Sequence, residues 1–420
     1  MAIIQAVRGT KDILPADVIR WQAIESVARK VSEQFGYKEI RTPIFEKTEV
    51  FSRGVGDNTD IVNKEMYTFD DRGGESLTLR PEQTAAVVRS VIQNNLIAEN
   101  TATKLFYIGS YFRYERPQKG RLREFHQYGI ECLNSPYPES DVEVISLATN
   151  FIEKIGVADY KLKLNSIGNA ASRNKYKLAL TEYLQKNKEK LSNESKSRME
   201  INPLRVLDSK DAADIEIISF APSILDFLDN ESCTHFDSVK KMLDRIRINY
   251  EITPTLVRGL DYYSHTVFEF QSMQLGSQDA FGGGGRYNNL FSELGSKDIP
   301  AVGFAMGMER LLLITADNVA NKTDKNPDYY ICCTHNDYLE YAVEILDLIR
   351  KNCDAICMID VNRRSLKAQL REANKLNSIT AIIIGEDEVK NNTITLKHMN
   401  DKTAEQKVIE KNKLVEYFFS

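Results

Sequence analysis

The chain has 420 residues, 42% hydrophobic and 27% charged, with a net charge of −5; it is too long for one core, so two or three domains of an ordinary soluble protein are expected. No apolar run approaches the roughly 18–20 residues of a membrane span, and "MAIIQAVRGTKD" lacks the basic-then-apolar layout of an export signal, which makes the expected location cytoplasmic. The negative balance argues against indiscriminate nucleic-acid binding by the whole surface.

In chain order, Trp21, Ile24, Ala28, Val31 and Phe35 recur at three- and four-residue spacing, predicting an amphipathic helix over 16–35 stopped by Gly36. "KEIRTPIF" reads as a strand interrupted by Pro43, tolerable at an edge or a subunit boundary. "SLTLRPEQTAAVVRSVI" reads as a short strand turning into a helix that Pro81 opens. "KLFYIGSYFRYE" and "EFHQYGIECL" are strand-like runs joined by "RPQKGRLR", so an antiparallel hairpin with an extended basic tip is expected.

Residues of about 170–250 turn Lys-, Asn- and Ser-rich around helical stretches such as "NKYKLALTEYLQKNKEKL" and "HFDSVKKMLDRI". They read as a helical insertion between two β-rich halves of one domain. "LVRGLDYYSHTVFEF" follows; its second half alternates like a strand, with Phe268 and Phe270 on one face. Its first half places Arg258, Asp261, Tyr262 and Tyr263 where that strand should begin. After "FGGGGRYNNL" and "PAVGFAMGMERLLLI", the polar "ADNVANKTDKNPD" marks a linker. Beyond it "YYICC", "YLEYAVEILDLIRKN", "AICMI", "SLKAQLREANKL" and "ITAIIIG" alternate strand with helix, indicating βαβ units in a separate small α/β domain. The expected boundaries are 1–325 and 326–420.

Several chemistries find no support. No GxxxxGK[ST] occurs, and the glycines of "GGGGRY" lie between strand-like runs rather than opening a βαβ unit. The six cysteines show no CxxC spacing and read as reduced, mostly buried thiols. Cys332, Cys333 and His335 lie in and beside a strand-like run whose neighbours face opposite sides, a poor metal cage.

Basic residues are segregated: five against Glu115 alone between Arg113 and Arg123, nine against four acidic ones between Arg173 and Arg205, and five against Glu372 between Arg363 and Lys375. One such run is usually a solvated face; three in an acidic protein point to a polyanionic partner. Three arginines sit near strand ends and helix starts. Arg113 lies where the hairpin's first strand enters the basic loop, with Tyr111 and Glu115 as strand-mates, Arg258 opens its strand, and Arg310 begins a helix. A guanidinium can pair with phosphate oxygens or stack on a flat ring, and Phe125 offers a partner for an adenine face.

"GYKEIRTPIFE", "YFRYERPQKGRLREFHQ" and "AVGFAMGMERL" resemble, in order, the three signature segments of class II aminoacyl-tRNA synthetases. "LVRGLDYYSHTVFEF" and "GGGGRYNNL" resemble the two additional segments of histidyl-tRNA synthetases, and "VRGTKDILP" and "TLRPEQT" match that family's opening and substrate loop. The resemblance spans essentially the whole chain. It implies an α+β fold: a class II antiparallel sheet flanked by helices, a helical insertion, and a C-terminal α/β anticodon-binding domain. It also implies a homodimer with the Pro43 segment at the interface.

The implied activity is ATP-dependent ligation of L-histidine to tRNA(His) through histidyl-adenylate, releasing AMP and pyrophosphate, with Mg²⁺ on the pyrophosphate portion. Carried over residue by residue, the resemblance places Arg113 and Arg258 at the α-phosphate as catalytic cations. Phe125 and Arg310 enclose the adenine, with Arg310 reaching the terminal phosphate, and Arg121 joins the ATP contacts. Glu131 and Tyr263 hold the imidazole, while Glu82, Thr84, Gln127 and Tyr287 surround the amino and carboxylate groups. Tyr262 belongs to the same pocket with packing as its favoured role, and His265 receives none. Arg116, Gln118 and Lys119 in the basic loop meet the acceptor end of tRNA.

Two departures stand out. Gln83 replaces a smaller or apolar residue at the pocket's rim, and Asn288-Asn289 replaces Asp-Gly after "GGRY". The alternative reading is a catalytically inactive, synthetase-like regulatory subunit of histidine biosynthesis, which usually lacks the C-terminal domain and an intact "RGLDYY". A synthetase for proline, threonine or glycine is a further alternative, against which "RGLDYY" and Glu131 argue.

Overall fold

The periodic apolar face near the amino terminus forms the helix Pro15–Gln34, which buries Ile24, Ala28 and Val31. Pro15 stands at its first turn, where a missing N–H costs nothing. Gly36, at φ 81°, lets the chain reverse so that Tyr37 N donates to Ser32 O. The computed structural model describes residues 3–56, 59–276, 279–316, 326–401 and 405–419. It divides into two compact units, Met1–Ala320 and Asn321–Ser420.

The first unit is built on an eight-stranded sheet. Its order is Lys38–Glu39, Thr103–Phe112, Glu124–Leu133, Ala301–Gly307, Ala280–Arg286, Ser264–Gln271, Lys161–Ser166 and Glu251–Ile252. The six central strands are antiparallel and the two short outer ones pair parallel. One face is covered by Pro15–Gln34, Pro138–Lys154 and Asn230–Arg245, and there Phe268, Phe270, Tyr128, Ile130 and Phe304 are buried. A three-stranded sheet orders Phe45–Lys47, Ser76–Leu79 and Tyr67–Asp70. Between Lys161–Ser166 and Glu251–Ile252 run the helices Ala170–Lys186, Asn193–Ile201, Ala212–Ile218 and Asn230–Arg245.

Three details differ from the sequence-based expectation. "KEIRTPIF" is two strands in different sheets, because residues 40–44 around Pro43 leave the first ladder before Phe45–Lys47 joins the second. Pro81 does not open a helix: the helix is Thr84–Gln93, and residues 80–83 form a bend in which the Glu82 carboxylate accepts from Thr84 N at 2.6 Å and Ala85 N at 2.9 Å. Arg258 and Glu115 are not strand residues. The strand after the glycine begins only at Ser264, and the hairpin strand ends at Phe112.

In the second unit Cys357–Ile359, Tyr329–Cys333 and Thr380–Ile384 pair in parallel, and Thr393–His398 and Lys407–Glu410 extend the sheet antiparallel, a pair the alternating pattern did not announce. Cys332 packs with Tyr330 and Ala373 while Cys333 packs with Ile331 and Ile345, so the two thiols do face opposite sides. Residues 317–325 of the expected linker lie outside the described residues. No helix among the described residues is long and apolar enough to cross a membrane.

Candidate active site

The opposite face of the large sheet packs in part against Thr84–Gln93 and the insertion, and it carries a cavity of about 340 Å³. The strand register decides which side chains enter it. In the hairpin Tyr111 pairs with Phe125, Gly109 with Gln127, and Leu105 with Glu131; the next strand sets Gly303 beside Glu131 and Gly307 beside Gln127. Alternation then turns Phe125, Gln127 and Glu131 to one face. A Cβ on Gly303 would lie 1.9 Å from Glu131 Oε2, so the absence of a side chain there makes room for the carboxylate.

Glu131 is almost wholly buried, and both of its oxygens accept hydrogen bonds. Its Oε1 accepts from Thr84 Oγ1 at 2.9 Å and Tyr107 Oη at 3.1 Å, and its Oε2 from Tyr287 Oη at 2.5 Å. Burial pushes its carboxyl up to about 8 against the pull of these hydroxyls. Tyr262 packs on Tyr263 and Tyr287 with ring centroids 4.7 and 5.6 Å away. Burial raises the Tyr263 hydroxyl, while the neighbouring Arg258 charge draws it down. Gln127 Oε1 is buried with no hydrogen-bond partner in the protein, an acceptor left for something else.

The cationic wall lies beside this pocket. Arg258 Nη1 pairs with Glu269 at 2.5 Å, and its Nε is buried without a partner. Burial opposes its charge, but Glu269 and Tyr263 outweigh burial and raise its pKa. A Cβ on Gly283 would meet Arg258 Nη1 at 2.7 Å, so the glycine run is where the guanidinium lies against the sheet. Arg113 donates from Nε to Pro81 O at 2.9 Å and stands over the Phe125 ring at 5.2 Å. Arg121 Nη1 pairs with Glu115 at 3.3 Å. Arg310, in the first turn of Met308–Ile314, bonds the carbonyls of Gly120 and Ala280.

Thus Glu82, Thr84, Arg113, Arg121, Phe125, Gln127, Glu131, Arg258, Tyr262, Tyr263, Tyr287 and Arg310 line one cavity. Arg116, Gln118 and Lys119 do not; they are exposed on the hairpin tip. Thr84 and Tyr287 spend their hydroxyls on Glu131, so in this state they shape the carboxylate rather than face open space. Gln83 turns to Thr42 Oγ1 and Tyr111 Oη, both at 3.0 Å, filling the rim with a bonded amide. Asn288 accepts from Ala301 N at 3.4 Å.

Sequence reading missed Tyr107, Glu269 and Glu309. Glu309 accepts from His126 N at 3.0 Å and pairs with His126 Nδ1 at 2.9 Å, tying Met308–Ile314 to the hairpin. Glu269 could have been found as the one charge within "TVFEF", close in sequence to an arginine that needs a partner. Tyr107 gave no such signal.

An antiparallel sheet with an arginine-lined cavity, entered by a basic hairpin and a helix start, is the catalytic architecture of a class II aminoacyl-tRNA synthetase. The family model for histidyl-tRNA synthetase matches residues 9–311, and that for the anticodon binding domain matches residues 328–419. The histidine–tRNA ligase of Acaryochloris marina is 47% identical over 397 residues, 94% of this chain and 92% of that protein. That of Listeria innocua is 46% identical over 417 residues, covering 98% and 97%. The crystal structure of apo S. aureus histidyl-tRNA synthetase superposes with a TM-score of 0.80 at 36% identity, covering 100% of both chains. The chain belongs to the histidyl-tRNA synthetase family.

Proposed function

We propose that this protein activates L-histidine with ATP and transfers the histidyl group to tRNA(His). The observation that carries this is the meeting, in one cavity, of the Glu131 carboxylate pocket with Arg113, Arg258 and Arg310. In the first step a histidine carboxylate oxygen attacks the α-phosphorus, the bond to the bridging oxygen breaks, and pyrophosphate leaves. Such a step needs positioning and charge stabilisation more than covalent help. Arg113 and Arg258 supply fixed cations at the α-phosphate. Phe125 and Arg310 take the adenine, and Arg121 and Arg310 the outer phosphates. In the second step a terminal ribose hydroxyl of tRNA attacks the histidyl carbonyl and AMP departs.

Neutral imidazole has one donor and one acceptor nitrogen. Glu131, by its remaining acceptor site, and Tyr263 meet that pattern, and an apolar isostere would satisfy neither. Glu82, Gln127 and the Thr84 region take the amino and carboxylate groups, with Gln127 Oε1 the acceptor without a protein partner. No group of three His, Cys, Asp or Glu among the described residues converges to hold a metal. Glu115 and Glu269 already pair with arginines, so Mg²⁺ would enter on the ATP phosphates and help neutralise them. The exposed Arg116, Gln118 and Lys119 approach the acceptor end of tRNA, and the second unit approaches the anticodon. A homodimer is the proposed assembly, joined near Pro43, where Ile44 and Phe45 are half exposed, and the cytoplasm is the proposed location.

The regulatory-subunit reading is weaker because "RGLDYY" and the C-terminal unit are both present. Amino-acid-dependent ATP–pyrophosphate exchange with each standard amino acid, repeated on Arg258→Ala, tests the proposal. Exchange with histidine alone, collapsing in the variant by about 100-fold or more, is expected; exchange with another amino acid would refute the pocket assignment.

A further inference from the structure

The segment 257–263 has a cavity on each side. Toward the reaction cavity it presents Arg258, Tyr262 and Tyr263. Behind it lies a second cavity of about 270 Å³, bounded by Arg173, Lys177 and Arg205 of the insertion and by Asp261. Arg173 Nη1 donates to the backbone carbonyl of Tyr263 at 2.7 Å. Arg205 reaches the carbonyl of Gly259 at 3.3 Å while pairing with Asp60 at 2.7 Å. The Asp261 carboxyl is raised by burial, and Arg205, Arg173 and Lys177 pull it back down, so these cations also face the loop's own acid.

The sheet does not hold Tyr263 in place. Pairing between Ser264–Gln271 and Ala280–Arg286 jumps from Val267↔Gly285 to Ser264↔Arg286, and His265 inside the gap takes φ 50°. Tyr263 lies just beyond this irregularity, and its carbonyl is taken by a guanidinium from the insertion instead of a neighbouring strand. A charged donor makes a stronger bond than a neutral one, and small displacements of a binding group weaken recognition steeply.

We propose that Arg173 is a positioning residue for histidine recognition: by holding the Tyr263 carbonyl from the helical insertion, it sets where the Tyr263 hydroxyl meets the substrate ring. This rests on the reading of Tyr263 and Glu131 as the imidazole pocket. Histidine affinity then depends on the insertion being seated, although the insertion supplies no atom to the ring.

The test is ATP–pyrophosphate exchange on the full-length protein, wild type, Arg173→Ala and Arg173→Lys, with histidine varied at saturating ATP and then the reverse. The Ala variant should raise the histidine KM about tenfold or more while the ATP KM stays within about twofold, and Lys should recover part of the loss. A general structural defect would instead lower kcat and raise both KM values together, with no recovery by Lys, and would overturn the proposal. An unchanged histidine KM in a folded Ala variant overturns it as well. Should Arg173→Ala lack a cooperative thermal transition, Arg173→Lys decides alone: a selective rise in histidine KM supports the role and wild-type kinetics oppose it. Wild-type protein that exchanges with no histidine at all would instead strike at the proposed function itself.

Discussion

Tyr287 donates its hydroxyl hydrogen to Glu131 Oε2 at 2.5 Å, with both side chains almost wholly buried. The contact runs from just past the end of Ala280–Arg286 to Glu124–Leu133, two strands that do not pair with each other, because Gly303 on the strand between them leaves the space open. Replacing Tyr287 by Phe keeps the ring packed on Tyr262 but strips one of three hydroxyl donors from a buried carboxyl. Loss of such a bond costs about 1–3 kcal/mol. Thermal unfolding of Tyr287→Phe should show that loss, and its histidine KM should rise more than its ATP KM. Equal effects on both substrates would mean that the hydroxyl does not shape the pocket.

Glu131 should also leave a signature in the pH dependence of stability. Burial raises its carboxyl from the ordinary 4.5 to about 8. Between those values the folded chain keeps a proton that the unfolded chain has released, so stability falls as pH rises through that window. The slope is at most about 1.4 kcal/mol per pH unit. Urea unfolding of wild type and Glu131→Gln near pH 5 and near pH 8 isolates the term, because other groups cancel in the difference. The variant should gain on the wild type as pH rises; parallel profiles would show that Glu131 titrates normally.

Arg286 and Asp141 form an ion pair with almost no exposure. The guanidinium also donates to Ser135 O at 2.8 Å, Tyr137 O at 3.0 Å and Ser140 Oγ at 2.8 Å. Burial acts against the Asp141 charge, but Arg286 and then His235 hold its carboxyl down at about 2. Arg286→Met would leave that carboxylate buried without its main partner, a loss of about 3–5 kcal/mol. Replacing both, as Arg286→Met with Asp141→Leu, should be much milder than the single change. Chemical denaturation of the wild type and the two variants checks this, and a double variant as weak as the single one would contradict the charge argument.

Much of this fold was legible because its signals are local. Alternation in "KLFYIGSYF" and "EFHQYGIECL", with a basic proline- and glycine-containing loop between, fixes a hairpin and its tip. The three arginines were visible as residue types that need a reason at strand and helix ends. What escaped depended on register and on strands far apart in sequence. Tyr107 reaches Glu131 within the hairpin itself, which the alternation places without fixing which residues meet. Tyr287 reaches it only through the order of the sheet, which periodicity does not encode. Pro81 misled because proline's place at a helix start is a tendency, and here the Glu82 carboxylate satisfies the amides of Thr84 and Ala85 from a bend instead.

His265 makes the last test, since it combines backbone strain with a suppressed charge. Its φ of 50° is a left-handed conformation that asparagine tolerates better than most side chains. Burial, then His235 and Arg286, lower its pKa from the ordinary 6.5 to about 4. In that window the unfolded chain binds a proton that the folded chain does not, so acidification from about 6.5 to about 4 withdraws stability. His265→Asn should flatten this acid limb, by up to about 1.4 kcal/mol per pH unit, while keeping the turn. His265→Ala should flatten it equally but carry a constant penalty of about 1–2 kcal/mol for the left-handed backbone. Unfolding curves at neutral and mildly acidic pH separate the two terms. An acid limb as steep in both variants as in wild type would place its origin in other groups.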